Sequence, residues 1–218
     1  FLCPAYNTKQ EFAEELVESV LGQTYQNWEL VIADAGEEEV CSETLKSIAN
    51  LDSRIKYVRL DCNRGIALNT AAAADASTGD LLAFLDHDDT LAPFSAFELA
   101  KAANENESAD FFYSDEDKVD NLGRFDPHFK PEWSPDTLRS YNYITHIMAM
   151  TRQLYDLCGG MRPGFDGSQD HDLALRATEH ASGIVHIPKV LYHWRAHKGS
   201  VAGNGAAKAY ASDAGQKA

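Results

Sequence analysis

Basic residues are scarce. The chain of 218 residues carries 19 Lys and Arg against 34 Asp and Glu, a formal net charge of −15. Nucleic-acid binding draws on clustered Lys and Arg, so no nucleic acid is expected as a partner. Long apolar runs are missing too: none approaches the roughly 20 residues that a membrane-spanning helix needs. No secretory signal with a basic start and small-residue cleavage site opens the chain. The four cysteines, Cys3, Cys41, Cys62 and Cys158, are scattered without C-x-x-C spacing. That pattern argues against a zinc site and for buried thiols in a reducing compartment. Phe1-Leu2-Cys3-Pro4 reads as the tail of a strand whose beginning has been cut away, which implies a piece of a longer protein. At the other end, Gly203 to Ala218 is rich in Ala, Gly and Lys and reads as a linker or the start of a frayed helix.

What is present centres on Gly79-Asp80-Leu81-Leu82-Ala83-Phe84-Leu85-Asp86-His87-Asp88-Asp89-Thr90. The apolar run Leu81 to Leu85 predicts a strand buried on both faces, and it ends in three carboxylates within four residues. Carboxylates that close repel one another and raise each other's pKa unless a cation or strong donors sit among them. Mg²⁺ or Mn²⁺ meets that need, since it prefers oxygen ligands and completes its shell with water or a diphosphate. The plainer alternative is that Asp88 and Asp89 cap a helix starting near Pro93, which accounts for one aspartate rather than three. An anionic diphosphate on so acidic a protein also needs well-placed arginines, and Arg64 and Arg195 are the candidates.

Around this stretch, strands alternate with helices. Lys9 to Leu21 predicts an amphipathic helix with Phe12, Leu16 and Val20 on its apolar face. Trp28 to Ala33 predicts a strand stopping at Asp34-Ala35-Gly36. A helix over 42–51, a strand over 55–60 and an Ala-rich helix over 66–76, entered through Asn63-Arg64-Gly65, follow. Such alternation predicts an α/β fold with a Rossmann-like, mainly parallel sheet flanked by helices. Its ligand lies at the strand carboxyl ends, where Tyr6, Asn7, Asp34, Arg64 and Asp86 through Asp89 all fall. Beyond these, the sequence predicts a helix over 94–104, a short strand over 110–114, an acidic turn over 115–124 and a Pro-rich, aromatic surface loop over 125–135. A strand over 143–150, a short helix over 151–157, a helix including 173–180 and extended segments over 184–187 and 190–195 complete the chain.

Four constellations are candidates for chemistry. Asp34 either accepts an N–H from a nucleobase or closes an Asx-turn. Asn63-Arg64-Gly65 either lets backbone approach a phosphate or is an ordinary turn. In Gly167-Ser168-Gln169-Asp170-His171-Asp172, the aspartates complement a helix dipole, or one of them is a general base for an attacking hydroxyl. In Tyr192-His193-Trp194-Arg195-Ala196-His197, the period of two puts His193, Arg195 and His197 on one strand face, where an imidazole would suit Mn²⁺ and Arg195 a phosphate. An edge strand with exposed histidines is the alternative. The isolated His128, His146, His180 and His186 attract no functional assignment, and Phe125, Phe129 and Trp133 either pack in the core or stack on a sugar.

Together these residues resemble glycosyltransferase family 2 of the GT-A fold, the bacterial polysaccharide and O-antigen type. Pro4-Ala5-Tyr6-Asn7 resembles its P-x-Y-N opening, Asp34 the second aspartate of V-D-D-G-S, and Asn63, Gly65 and Asn69 its Asn/Gly segment. Asp86-His87-Asp88-Asp89 resembles D-x-D-D, Gly167 to Asp170 its G-x-E/Q-D, and Tyr192 through Ser200 its closing block. Ala33 and Ala35-Gly36 depart from V-D-D-G-S, and Gln169 replaces a glutamate.

The resemblance implies a single domain over 1–200, with a nucleotide-binding half over 1–90 and an acceptor and catalytic half over 91–200, and 201–218 as linker or helix start. It implies an inverting, metal-dependent glycosyltransferase acting on a nucleotide-diphosphate sugar, UDP-linked by preference, with Mn²⁺ or Mg²⁺ as cofactor. Asp170, rather than Asp172, is then the catalytic base. Pro4, Tyr6, Asn7, Asp34, Arg64, Asp86 and Arg195 would hold the nucleotide, and Asp88 with His193 or His197 the metal, His193 being favoured. The acceptor would be a saccharide or lipid-linked saccharide. The protein would be cytoplasmic, with peripheral membrane association through regions outside this chain. Two rivals share the residues: a haloacid-dehalogenase-like phosphatase, in which Asp86 of D-x-D-x-T is the nucleophile, and a catalytically silent nucleotide-sugar binding module.

Overall fold

The computed structural model describes residues 1–197. The expected linker or helix start over 201–218, and the Lys198-Gly199-Ser200 end of the closing block, lie outside the described residues. The first half alternates β1 (Leu2–Ala5), α1 (Gln10–Leu21), β2 (Leu30–Asp34), α2 (Glu39–Ala49), β3 (Ile55–Arg59) and α3 (Ile66–Ala76). The three strands pair in parallel, Leu2 to Ala5 against Val31 to Asp34 and Leu30 to Asp34 against Ile55 to Arg59. Helix α1 buries Phe12, Ala13, Leu16, Val17 and Val20, the face that its spacing marks.

The chain continues through β4 (Leu81–Ala83), β5 (Thr90–Leu91), α4 (Ser95–Glu105), β6 (Phe111–Asp120) and β7 (Gly123–His128). It ends with α5 (Pro135–Ser140), β8 (Met148–Thr151), α6 (Arg152–Leu157), α7 (Gln169–His180) and β9 (Ile184–Arg195). These strands form a second sheet in the order β4-β8-β6-β9-β5, with β7 paired to β6. The chain joins the two sheets where β4 runs out: Leu2 and Phe84 form a parallel bridge, and the Leu85 N–H donates to the Leu2 carbonyl at 3.0 Å. The Asp86–Asp89 turn therefore leaves the middle of a sheet surface, beside the carboxyl end of β1. No helix of the described residues is long and apolar enough to cross a membrane.

The expected α/β fold is present, with parallel pairing through β1, β2 and β3 and again in β6–β9; β4–β8, β6–β8, β5–β9 and β6–β7 are antiparallel, so the sheet of the second half is mixed. Two expectations are corrected. The acidic turn over 115–124 is mostly strand: β6 runs on to Asp120, and Asp115, Glu116 and Asp117 are 3, 5 and 7% exposed. Each of these acids meets a base from elsewhere in the chain. Asp115 faces His186 at 2.8 Å, Glu116 faces His128, Lys130 and His146, and Asp117 faces His193 at 2.5 Å. Charge that reads as solvated is neutralised inside the fold. The Pro-rich loop over 125–135 begins instead as β7, an edge strand whose Asp126-Pro127 interrupts the register with β6 before His128 pairs with Glu116.

Candidate active site

A cleft of about 760 Å³ opens at the carboxyl ends of β1 and β4. One wall is Pro4, Tyr6, Asn63 and Gly65, the floor Asp86, His87 and Asp88, and the far wall Asn142, His146, Asp166 and Asp170, with Trp194 and His197 at one side. The lining holds four carboxylates, Asp86, Asp88, Asp166 and Asp170, and among the described residues neither Lys nor Arg.

Strand β9 shapes the Asp86–Asp89 turn. The Tyr192 hydroxyl donates to Asp89 Oδ2 at 2.6 Å and accepts the Asp86 N–H at 3.1 Å. The Arg195 N–H donates to Asp89 Oδ1 at 2.7 Å. Asp89 is thus sealed, 1% exposed, and burial together with the Asp88 and Asp86 carboxylates pushes its pKa well above the ordinary range. Asp88 faces the cleft, and its Oδ2 lies 2.9 Å from His197 Nε2.

The donor set suits a hard divalent ion. Asp88 Oδ2 and His197 Nε2 are hydrogen-bonded to each other at 2.9 Å, and both are atoms that such an ion takes as ligands. Asp86, Asp89 and His146 also bring one ligand atom each within 4.8 Å of one another. That grouping is the poorer cradle, because both Asp89 oxygens already accept hydrogen bonds. Asp88 and His197 line the same cleft as Asp86 and offer an alternative carboxylate and imidazole.

Asp170 sits in the first turn of α7 and lines the cleft. Its Oδ2 accepts from Asn142 Nδ2 at 2.9 Å, and burial raises its pKa. Asp172, two residues on, is 1% exposed. It is bound by Arg162 and Arg176, its carboxylate 2.6 Å from the latter, and its pKa is lowered by the two guanidinium groups, which outweigh burial. Asp166 reaches across to α3, its Oδ1 accepting the Ala67 N–H at 3.0 Å in the first turn of that helix. The negative carboxylate there complements the positive end of the helix.

The structure brings Pro4, Tyr6, Asp86, Asp88, Asp170 and His197 into one cleft and places five other predicted residues elsewhere. Asp34 is 0% exposed. Its carboxylate accepts from the Gly36 N–H, the Tyr57 hydroxyl and Arg59, each at 2.8 Å, so it closes the end of β2 rather than meeting a base. Asn7 adopts a positive φ of 47°, and its Oδ1 accepts the Glu37 and Glu38 N–H groups at 2.7 and 3.1 Å, which caps the approach to α2. Arg195 stacks over Phe12 at 4.9 Å, pairs with Glu15, and donates from Nε to the Asp88 carbonyl at 2.6 Å. It buttresses the acidic turn from behind and presents no guanidinium to a phosphate. His193 is turned to Asp117. The shared face expected for His193, Arg195 and His197 fails because β9 ends at Arg195, so His197 lies beyond the strand and reaches the cleft with Trp194. Arg64 is exposed and outside the lining, while Asn63 and Gly65 on either side of it are within.

Sequence reasoning missed His146. Its ring stacks on Tyr192 with centroids 4.6 Å apart, its Nδ1 lies 3.1 Å from Glu116 Oε2, and its Nε2 lies 3.7 Å from Asp86 Oδ2. Burial works against its proton, but the Asp86 and Glu116 carboxylates outweigh that and raise its pKa well above the ordinary value. The one signal available was a polar residue inside the apolar stretch Tyr143 to Met150.

A family model described as "Glycosyl transferase family 2" matches residues 1–168. The chain is 37% identical over 217 residues to the O-antigen biosynthesis protein RfbC of Myxococcus xanthus, covering 99% of this chain and 17% of that protein. It spans 17 to 24% of the length of two curated relatives that it matches along 99% of its own. Among solved structures, S. aureus TarS 1-349 in complex with UDP-GlcNAc superposes with TM-score 0.75 at 18% identity, covering 93% of this chain and 59% of that one. The mannosyltransferase PcManGT from Pyrobaculum calidifontis, in complex with GDP-Man and Mn2+, superposes with TM-score 0.67 at 17% identity, covering 90% and 56%. At such identities these two likenesses speak for the fold.

Proposed function

The chain belongs to glycosyl transferase family 2, and from that premise we propose an inverting, divalent-metal-dependent transfer from a nucleotide-diphosphate sugar, UDP-linked by preference, to a saccharide or lipid-linked saccharide acceptor in cell-surface polysaccharide synthesis. Family membership sets aside the phosphatase reading of Asp86. The O-antigen relative supports the polysaccharide context, and the UDP-GlcNAc and GDP-Man complexes of the fold neighbours support a nucleotide sugar as donor.

One observation carries the reading: the cleft has four carboxylates and, among its described lining residues, no Lys or Arg. His146, whose raised pKa favours the imidazolium, offsets only part of this field, so a diphosphate entering it is expected to need a cation to come with it. A divalent ion held by Asp88 and His197, with Asp86 in the same cleft, would supply Lewis-acid neutralisation of the charge that grows on the departing diphosphate. Pro4, Tyr6, Asn63 and Gly65 would wall the nucleoside.

Asp170 takes the proton from the acceptor hydroxyl. As it does so, the hydroxyl oxygen bonds to the anomeric carbon, and the bond from that carbon to the diphosphate oxygen breaks. The electron pair leaves with the nucleoside diphosphate, and the proton passes from Asp170 to water. Attack from the face opposite the leaving group inverts the anomeric centre. The raised pKa of Asp170 makes it a stronger base than an exposed aspartate, while leaving it ionised above that pKa. The test is incubation with UDP-, GDP- and dTDP-linked sugars, Mn²⁺ and a panel of oligosaccharide acceptors, with the product anomer read by NMR. An inverted linkage is expected; a retained one would overturn the mechanism.

A further inference from the structure

Two carboxylates on opposite sides of the cleft, Asp170 and Asp86, each meet a side chain from one short segment, residues 142–146. Asn142 donates to Asp170 Oδ2 at 2.9 Å. The orientation of its amide is fixed by the other end, since the Thr145 N–H donates to Asn142 Oδ1 at 3.4 Å and leaves Nδ2 as the end facing Asp170. His146 faces Asp86 from the same segment at 3.7 Å.

A buried ion pair lies beneath the segment and holds it. The Lys130 side chain is 0% exposed, and its Nζ lies 3.6 Å from Glu116 Oε2. It donates to the carbonyls of Ile144, at 2.5 Å, and of His146. Glu116 accepts from Thr145 Oγ1 at 2.8 Å and from the His146 N–H at 3.0 Å, with His146 Nδ1 at 3.1 Å. Charges this deep are costly unless their remaining hydrogen-bonding capacity is used. Here it is used almost wholly on the segment that reaches the two carboxylates. The bonds fall on three consecutive residues, Ile144, Thr145 and His146, of which Thr145 and His146 line the cleft and Thr145 in turn holds Asn142.

We propose that Asn142 is the positioning residue of Asp170, holding its carboxylate in one orientation toward the cleft, and that the buried Glu116–Lys130 pair fixes Asn142 in place. This rests on Asp170 being the general base. An amide donor stabilises the ionised carboxylate, so Asn142, besides fixing its geometry, adds to what the His146 charge and the His171 N–H do against burial and the Asp86 charge.

The test compares wild type, Asn142→Ala, Asn142→Ser and Thr145→Val in the folded protein. The Asp170 carboxyl is titrated by ¹³C NMR, with its resonance assigned by its loss in Asp170→Asn. Turnover is read as UDP release from UDP-GlcNAc with Mn²⁺. Removing a hydrogen bond to a charged group costs about tenfold or more in rate. For Asn142→Ala the expected results are therefore a kcat down by about that factor, a KM for UDP-GlcNAc within about twofold of wild type, and an Asp170 midpoint moved upward. Asn142→Ser should recover part of both effects, and Thr145→Val should move both in the same direction by less. If Asp170→Asn keeps full turnover, the base assignment fails and the positioning role falls with it. If Asp170→Asn abolishes turnover while Asn142→Ala leaves kcat and the Asp170 midpoint unchanged, the positioning role alone is overturned. Should UDP-GlcNAc not turn over, the NMR titration still decides: an unmoved midpoint rejects the proposal.

Discussion

His197 Nε2 and Asp88 Oδ2 are hydrogen-bonded at 2.9 Å in the lining of the cleft, an imidazole and a carboxylate of the kind that ligate a divalent ion. Removing the imidazole takes one ligand from that set. His197→Ala is expected to weaken Mn²⁺-dependent nucleotide binding about 10- to 100-fold, by analogy with the loss of other groups that tune a metal site. His193→Ala should leave it unchanged, because His193 is turned to Asp117. Isothermal titration of UDP in the presence of Mn²⁺ separates the two.

Asp170 and Asp172 are two residues apart and should fail in different ways. Asp170→Asn removes the group that accepts the proton, so turnover should fall about 10²- to 10⁴-fold with nucleotide binding and melting temperature retained. Asp172→Ala leaves Arg162 and Arg176 without their buried partner. That should cost about 3–5 kcal/mol of stability, read by urea denaturation.

The same pair gives two pH dependences. The rate should rise with pH through the pKa of Asp170, which burial sets above that of an ordinary aspartate, so the acid limb of kcat/KM lies higher than an exposed aspartate would place it. The folded pKa of Asp172 is lowered. Its stabilising contribution is therefore complete above the unfolded value, about 3.9, and is lost as pH falls through the folded value. A pH–rate profile and a pH series of melting temperatures read these independently.

Gly65 carries the turn into α3 with a φ of +91°, and a Cβ there would lie 2.5 to 2.7 Å from the Asp166 carboxylate. Gly65→Ala meets both a backbone penalty and a clash. We expect a loss of about 1–3 kcal/mol, with the Asp166–Ala67 contact broken and a raised KM for the donor. Asp166→Gly in the Gly65→Ala background relieves the clash and should recover part of the stability, by a double-mutant cycle.

Much of the first half was legible in the sequence. The periodicity of Phe12, Leu16 and Val20 located α1, the Ala-rich run located α3, and the apolar run from Leu81 ending in carboxylates located the acidic turn at the mouth of the cleft. These signals are local, and each element's burial follows from its own spacing. The second half was less legible because its strands bury charge. Asp115, Glu116 and Asp117 read as a solvated turn, and only the fold brings them to His186, Lys130, His146 and His193 from 14 to 76 residues away. Asn142 and His146 carried no motif, since their importance lies in what they touch. The period of two does put His193 and Arg195 together on β9, but that side faces Asp117, Phe12 and Glu15, while Trp194 and, past the strand end, His197 reach the cleft.

The central claim is that a cation must precede the diphosphate into this acidic cleft. Isothermal titration of UDP into the wild-type protein and into Asp88→Asn, each in Mn²⁺ and in EDTA, tests it most directly. The wild type is expected to bind UDP in Mn²⁺, with the affinity weakened at least about tenfold by EDTA or by Asp88→Asn, which removes one ligand charge. Equal affinity for UDP in EDTA and in Mn²⁺ would contradict it.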